Sequence, residues 1–243
     1  MAEQDKNLSL DFFERFKDNI DTLPDQIALQ QITPKGKQTF SYQRLGQEVA
    51  SIGCFLQKQG VAPGNTVGIL MENHPRWGIA FLAAQSAGAR IAPFDVLHKN
   101  ETLAKLIEHA GCNFLISSEQ FAPRLDEIQT LLPQPLPVLV NGDYEGYHRW
   151  QSVLDKCSGE ESFPCVKGDL DEPFVILYTS GTTGNPKGVI LTQRNIYRSV
   201  VGLLTVVKTT DTDHILSVLP LYHVLALMTN FIIPLYVGAR VTY

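Results

Sequence analysis

The sequence predicts an α/β protein, a largely parallel β-sheet with helices on both faces. Three observations carry this. Short β-type runs alternate along the chain with stretches whose apolar residues recur at helical spacing. The run PFVILY (173–178) has the composition of a short buried strand. The 243 residues are 44% hydrophobic and 19% charged, which supports a sizeable core and argues against disorder.

The elements follow in order. QIALQQI (26–32) and KQTFS (37–41) are predicted as strands around a Pro-Lys-Gly turn. Ser41 can cap the next helix, whose Leu45, Val49, Ile52, Phe55 and Leu56 share a face and which Gly60 ends. TVGILM (66–71) is a strand, and a helix runs from about Pro75 to Ala87 with the proline suited to its first position. ARIAPF is a strand, and NETLAKLIEHAG a helix with Asn100 as its expected cap. NFLISS, FAPRLDEIQTLL and PLPVLV continue the rhythm as strand, helix and strand, the pattern of a parallel sheet. Residues 141–172 are polar and turn-rich, read as a long connection holding a short helix at Trp150–Leu154. GVILT is a strand, after which Thr192 or Asn195 can cap a helix through VVGLLTVV. HILSVL, an apolar helix and ARVTY close the chain as strand, helix and strand.

Bulk properties exclude several classes. The net charge of −5 and the lack of a basic cluster argue against a nucleic-acid surface. Cys54, Cys112, Cys157 and Cys165 form no CxxC pair and no metal-ligand spacing with histidine, so they are expected as reduced thiols in a cytoplasmic protein. The acidic, amphipathic N-terminus MAEQDKNLSLDFFERF is not a signal peptide. From Ile215 to Ala239 no Asp, Glu, Lys or Arg occurs, but Pro220 and Pro234 cut the stretch and His223 and Asn230 lie within it. It is read as buried core, not as a transmembrane segment.

The chemistry concentrates in YTSGTTGNPKG (178–188), predicted as a loop between two strands. A Walker loop needs GxxxxGK followed by Ser or Thr and a helix start; here Lys187 is followed by Gly188 and then by a strand. An anion would have to be held otherwise. Gly181 and Gly184 let backbone N–H groups turn inward as a nest. The hydroxyls of Thr179, Ser180, Thr182 and Thr183 add donors, and Lys187 adds a point charge that Pro186 stiffens. Together they suit a polyphosphate.

YTSGTTGNPKGVILT resembles the phosphate-loop signature of the adenylate-forming superfamily, which includes acyl-CoA synthetases, nonribosomal peptide adenylation domains and luciferases. LPLYHVLALM (219–228) is similar to that family's strand–turn–helix segment beside the acyl pocket, and residues 41–94 to its N-terminal half. The Pro-Leu-Tyr-His-Val-Leu-Ala-Leu wording most resembles fatty-acid-CoA ligases.

The resemblance implies an incomplete N-terminal domain of the adenylate-forming fold over 1–243, and an acid–thiol ligase that activates a carboxylate, a fatty acid in that subclass, with ATP, Mg²⁺ and coenzyme A. By resemblance, loop 179–187 would hold the β- and γ-phosphates. Thr179 would stand near Mg²⁺, Lys187 would offset charge on leaving pyrophosphate, and His223 would line the carboxylate site. The run Val224–Ile233 would be either a wall of the acyl channel or plain core. Family members run to roughly twice this length. The aromatic-Gly-x-Thr-Glu and Thr-Gly-Asp motifs, the hinge and the late lysine are not found, so the chain reads as a fragment lacking the C-terminal part, inactive alone. The expected location is cytoplasmic, with peripheral membrane attachment left open. A binding module without catalysis, and an amino-acid or aryl-acid adenylating ligase, are the alternatives.

Overall fold

The computed structural model describes residues 12–157, 170–179 and 187–243. The elements are α1 (Phe12–Thr22), β1 (Ile27–Thr33), β2 (Gly36–Ser41), α2 (Tyr42–Lys58), β3 (Thr66–Leu70), α3 (Pro75–Ser86) and β4 (Arg90–Pro93). There follow α4 (Asn100–His109), β5 (Cys112–Ser118), α5 (Ala122–Leu131), β6 (Val138–Asn141), β7 (His148–Arg149), α6 (Trp150–Lys156), β8 (Pro173–Thr179) and β9 (Lys187–Thr192). The chain continues through α7 (Gln193–Val206), β10 (His214–Leu216), α8 (Val224–Leu227), a π-helical turn (Met228–Ile232), α9 (Ile233–Val237) and β11 (Arg240–Thr242). The α/β class and its mostly parallel pairing hold. The strands divide between two sheets, however, in two compact units.

One unit comprises Met1–Gly46, Asp169–Glu172 and Thr192–Tyr243 and carries a four-stranded sheet, β10-β11-β1-β2. β1 and β2 are antiparallel through a tight turn in which Gly36 takes φ 124°, a value open to glycine alone. β11 joins β1 in parallel, Leu29 opposite Val241, and β10 joins β11 in parallel. Phe16, Leu29, Phe40, Phe231, Leu235 and Val241 are buried in this unit. The last carbonyls of α9 and the residues after it have no helical partner. The Asn19 amide donates to Leu235 O at 2.8 Å, and the Tyr42 hydroxyl to Ala239 O at 2.8 Å.

The other unit comprises Gln47–Gly168 and Pro173–Leu191 and holds the seven-stranded sheet β7-β6-β5-β3-β4-β8-β9. The pairings β3–β4, β3–β5, β4–β8, β5–β6 and β6–β7 are all parallel. The chain runs from β3 to β4 on one side, then returns to place β5 on the other side of β3, the reversal that defines a doubly wound sheet. β3 is buried along its whole length. At its centre a Cβ on Gly68 would lie 2.7 Å from Leu115 Cδ2 and 2.8 Å from Phe94 Cε2, so the packing leaves room only for glycine. Leu103, Ile107, Leu115, Phe121, Leu125 and Ile176 belong to one core cluster of this unit.

Ser41 caps as expected, accepting Arg44 N–H at 3.2 Å, and Thr192 and Asn195 cap α7 together as a reciprocal box. Three readings are corrected. α4 is capped at Lys99 without a side-chain bond, because the Asn100 side chain is engaged by Arg124 and Glu127. The described part of the connection read over 141–172 contains the short strand β7 ahead of its helix. The strand expected over 214–219 ends at Leu216, and Ser217 N–H turns to Thr242 O. Among the described residues no helix is long and apolar enough to cross a membrane, and Cys54, Cys112 and Cys157 are free thiols.

Candidate functional site

The expected phosphate loop leaves the carboxyl end of β8. This is the edge of a parallel sheet where α/β proteins place their ligands. β8 lies beside β4, with Ile91 opposite Val175, and β9 follows β8 at the sheet margin. Thr179 is the last residue of β8 and Lys187 the first of β9, and both are exposed. Ser180, Gly181, Thr182, Thr183 and Gly184 lie outside the described residues. No helix begins after Lys187, since β9 runs on to Thr192. Whatever anion-holding capacity the loop has is therefore not that of a Walker helix N-terminus.

The base of the loop is well defined. Tyr178 stacks on Phe94 with centroids 6.0 Å apart and planes at 26°. Its hydroxyl lies 2.9 Å from His109 Nδ1 and donates to Leu106 O at 3.2 Å. Burial, with the neighbouring Cys112, pushes the Tyr178 phenol up to about 12, so it stays protonated at neutral pH. Gly188 passes close by: a Cβ there would meet Ile176 Cγ2 at 3.2 Å, Tyr178 Cε1 at 3.4 Å and His109 Cε1 at 3.5 Å.

In the four-stranded unit His223 is the residue before α8, exposed and in extended conformation (φ −93°, ψ 136°). Its carbonyl accepts Leu227 N–H at 2.9 Å, its N–H donates to Pro220 O at 3.1 Å, and the Tyr222 ring lies 4.6 Å away. The run after it divides its labour. Val224 and Leu225 are exposed, whereas Ala226, Leu227, Met228, Phe231 and Ile232 are core. Between them the helix widens to the π turn, where Ile233 N–H reaches back to Met228 O. Pro234 accounts for the widening, because a proline ring clashes with the carbonyl four residues earlier in a regular α-helix. Thr229 and Asn230, on the π turn, line a groove of about 240 Å³ with Leu203, Val207, Ile215 and Ile233. Within that wall the Thr229 hydroxyl lies 2.9 Å from both Leu225 O and Asn230 Oδ1.

Thr179 and Lys187 thus sit on adjacent strands of one unit, and His223 belongs to the other. For a magnesium ion the described residues offer the Thr179 hydroxyl but no group of three or more His, Cys, Asp or Glu. Mg²⁺ binds through one or two carboxylates plus substrate phosphates, so this set fits it only as one oxygen beside a bound polyphosphate. No sequence signal points to the Tyr178–His109 contact. Thr229 and Asn230 had one available signal, a polar pair in an otherwise apolar run followed by Pro234.

Comparison with known proteins agrees. The chain is 31% identical over 222 residues to the oxalate-CoA ligase of Arabidopsis thaliana, covering 90% of this chain and 42% of that protein. It is 29% identical over 170 residues to the long-chain-fatty-acid-CoA ligase FadD13 of Mycobacterium tuberculosis, covering 70% and 33%. Among solved structures it superposes with a TM-score of 0.88 and 22% identity on an anthranilate CoA ligase in complex with anthranoyl-AMP, covering all of this chain and 46% of that one. The chain therefore spans less than half the length of these proteins, and the acids in their names are a dicarboxylate, a fatty acid and an aryl acid. That range does not support the fatty-acid subclass over the others. Residues 16–243 match the AMP-binding enzyme family, and the chain belongs to it.

Proposed function

We propose that this chain is the phosphate-loop-bearing N-terminal part of an ATP-dependent ligase that converts a carboxylic acid to its acyl-adenylate, releases pyrophosphate, and passes the acyl group to coenzyme A. The observation that carries this is that the chain from the carboxyl end of β8 to the start of β9 reads TSGTTGNPK, with Thr179 and Lys187 exposed at its two ends. In the first step the carboxylate oxygen attacks the α-phosphorus of ATP and pyrophosphate leaves, which needs little acid–base chemistry. It needs the polyphosphate held in line and its growing negative charge offset. The hydroxyls of Thr179, Ser180, Thr182 and Thr183 and the N–H groups of Gly181 and Gly184 would donate to phosphate oxygens, and Lys187 would neutralise charge on the departing pyrophosphate. Magnesium, arriving with the nucleotide near Thr179, would add charge neutralisation.

His223 would orient the carboxylate. The residue is exposed, and a carboxylate already ionised at neutral pH needs no base. The groove lined by Leu203, Val207, Ile215 and Ile233 favours an acid with an apolar tail, a fatty acid in the simplest case, with Thr229 and Asn230 as its polar markers. An aryl acid suits the same apolar lining. We place the enzyme in the cytoplasm.

Acid-dependent exchange of labelled pyrophosphate into ATP tests the reading, on a polypeptide of the relatives' full length and with fatty, aryl, amino and dicarboxylic acids in parallel. Exchange with fatty acids alone supports the subclass, exchange only with another class reassigns it, and no exchange with any acid overturns the ligase reading. Lys187→Ala removes a charge-assisted contact of about 1.5–3 kcal/mol and should weaken ATP binding roughly 10- to 100-fold. Residues 1–243 alone are expected to bind ATP without forming acyl-adenylate, which calorimetry and the same exchange assay would separate.

A further inference from the structure

We propose that Tyr178, oriented by His109 and closed over by Gly188, is the positioning residue that fixes the two ends of segment 179–187 relative to each other. Tyr178 directly precedes Thr179, and Gly188 directly follows Lys187. The inference rests on the reading of that segment as a polyphosphate cradle, and it assigns a role to residues outside the cradle itself.

Three surfaces meet on the one phenol ring. A face stacks on Phe94, the first residue past β4. An edge runs along the backbone of β9 at Gly188, close enough that a Cβ would stand 3.4 Å from Tyr178 Cε1. The hydroxyl reaches the last turn of α4, at Leu106 O and His109 Nδ1. A carbonyl has no proton, so making both bonds requires Tyr178 to donate to Leu106 and His109 Nδ1–H to donate to Tyr178. The ring is thereby held by a strand, a helix end and the returning strand at once. A residue fixed on three sides at the start of the segment transmits that order to Thr179. Gly188 lets the far end come within contact distance of the same ring. Neither His109 nor Gly188 would need to touch a ligand.

The test is calorimetric titration of the 243-residue chain with inorganic tripolyphosphate and with ATP, alongside urea unfolding of each variant. Wild type should bind both. Tyr178→Phe keeps the ring and deletes the bonds, and losing about 0.5–1.5 kcal/mol of hydrogen bonding should weaken tripolyphosphate binding by roughly 2- to 10-fold. His109→Leu should do the same. His109→Asn, whose amide can present a donor near Nδ1, should recover binding to within about twofold of wild type. Gly188→Ala should weaken both ligands by at least about tenfold. If Gly188→Ala does not fold, the Tyr178 and His109 variants decide. Equal binding by Tyr178→Phe and wild type overturns the proposal. So does equal binding by His109→Asn and His109→Leu, since a purely structural role would not distinguish a donor from an apolar isostere in ligand affinity. If wild type binds neither ligand, the cradle reading fails and takes this inference with it.

Discussion

At the start of α3 the Nδ1 of His74 accepts the N–H of Arg76 at 3.0 Å, which only a neutral imidazole can do. Burial holds the His74 pKa below its usual 6.5, with Glu72 pulling it up and Arg76 pushing it down. A depressed pKa means that the unfolded chain takes the proton first as pH falls. The cap's contribution is therefore complete above about 6.5 and is lost progressively below it. Urea midpoints at neutral and mildly acid pH should diverge in wild type and converge in His74→Asn, whose carbonyl caps without titrating. Gly68 is a second single-residue test. Its missing Cβ would overlap Leu115 and Phe94, so Gly68→Ala should destabilise by about 1–3 kcal/mol in chemical unfolding. Residues acting through local chemistry, such as Ser41, Pro75 and Thr192, were legible in the sequence. Those acting through tertiary contact were not. Tyr178 and His109 are 69 positions apart, and nothing in either neighbourhood points to the other.

Elements with a clear period were the ones the sequence disclosed. α2 and α4 carry apolar residues at helical spacing, β3 reads as a strand and β8 as a buried strand, and both form. Elements decided by competition were not. β7 is two residues that exist as a strand only because β6 is there to pair with them. The π turn arises from a conflict within one segment: an apolar stripe that favours helix and a proline at 234 that a regular α-helix rejects. The reciprocal cap of Thr192 and Asn195 makes α7 a direct test at this scale. Thr192→Ala should cost about 1 kcal/mol of stability, and Asn195→Ala a similar amount, with the double variant less than additive because the two share one box.

At the scale of the molecule, the four-stranded unit carries a concentration of exposed large apolar residues. Val206, Val207, Leu216, Val218, Val224 and Leu225 all fall within one short stretch, Val218 being 72% and Leu225 61% exposed. β10, which bears Leu216, is also an edge strand. Exposed apolar side chains and an unpaired strand edge both promote association. The 243-residue chain should show concentration-dependent mass by light scattering, and Leu216→Lys with Val218→Lys should shift it toward monomer. The pairing of β1 with β11 has a different consequence, one of timing. Leu29 finds its partner at Val241, whereas every strand of the seven-stranded sheet lies between residues 66 and 192. During synthesis, then, the parallel unit has all its strands available while β1 and β2 still wait as a bare hairpin for a neighbour some two hundred residues away. Contacts of such sequence separation form slowly and leave their edges open meanwhile. β1, made before every strand of the parallel sheet, is thus among the last to gain its second neighbour, while β2 keeps one edge open.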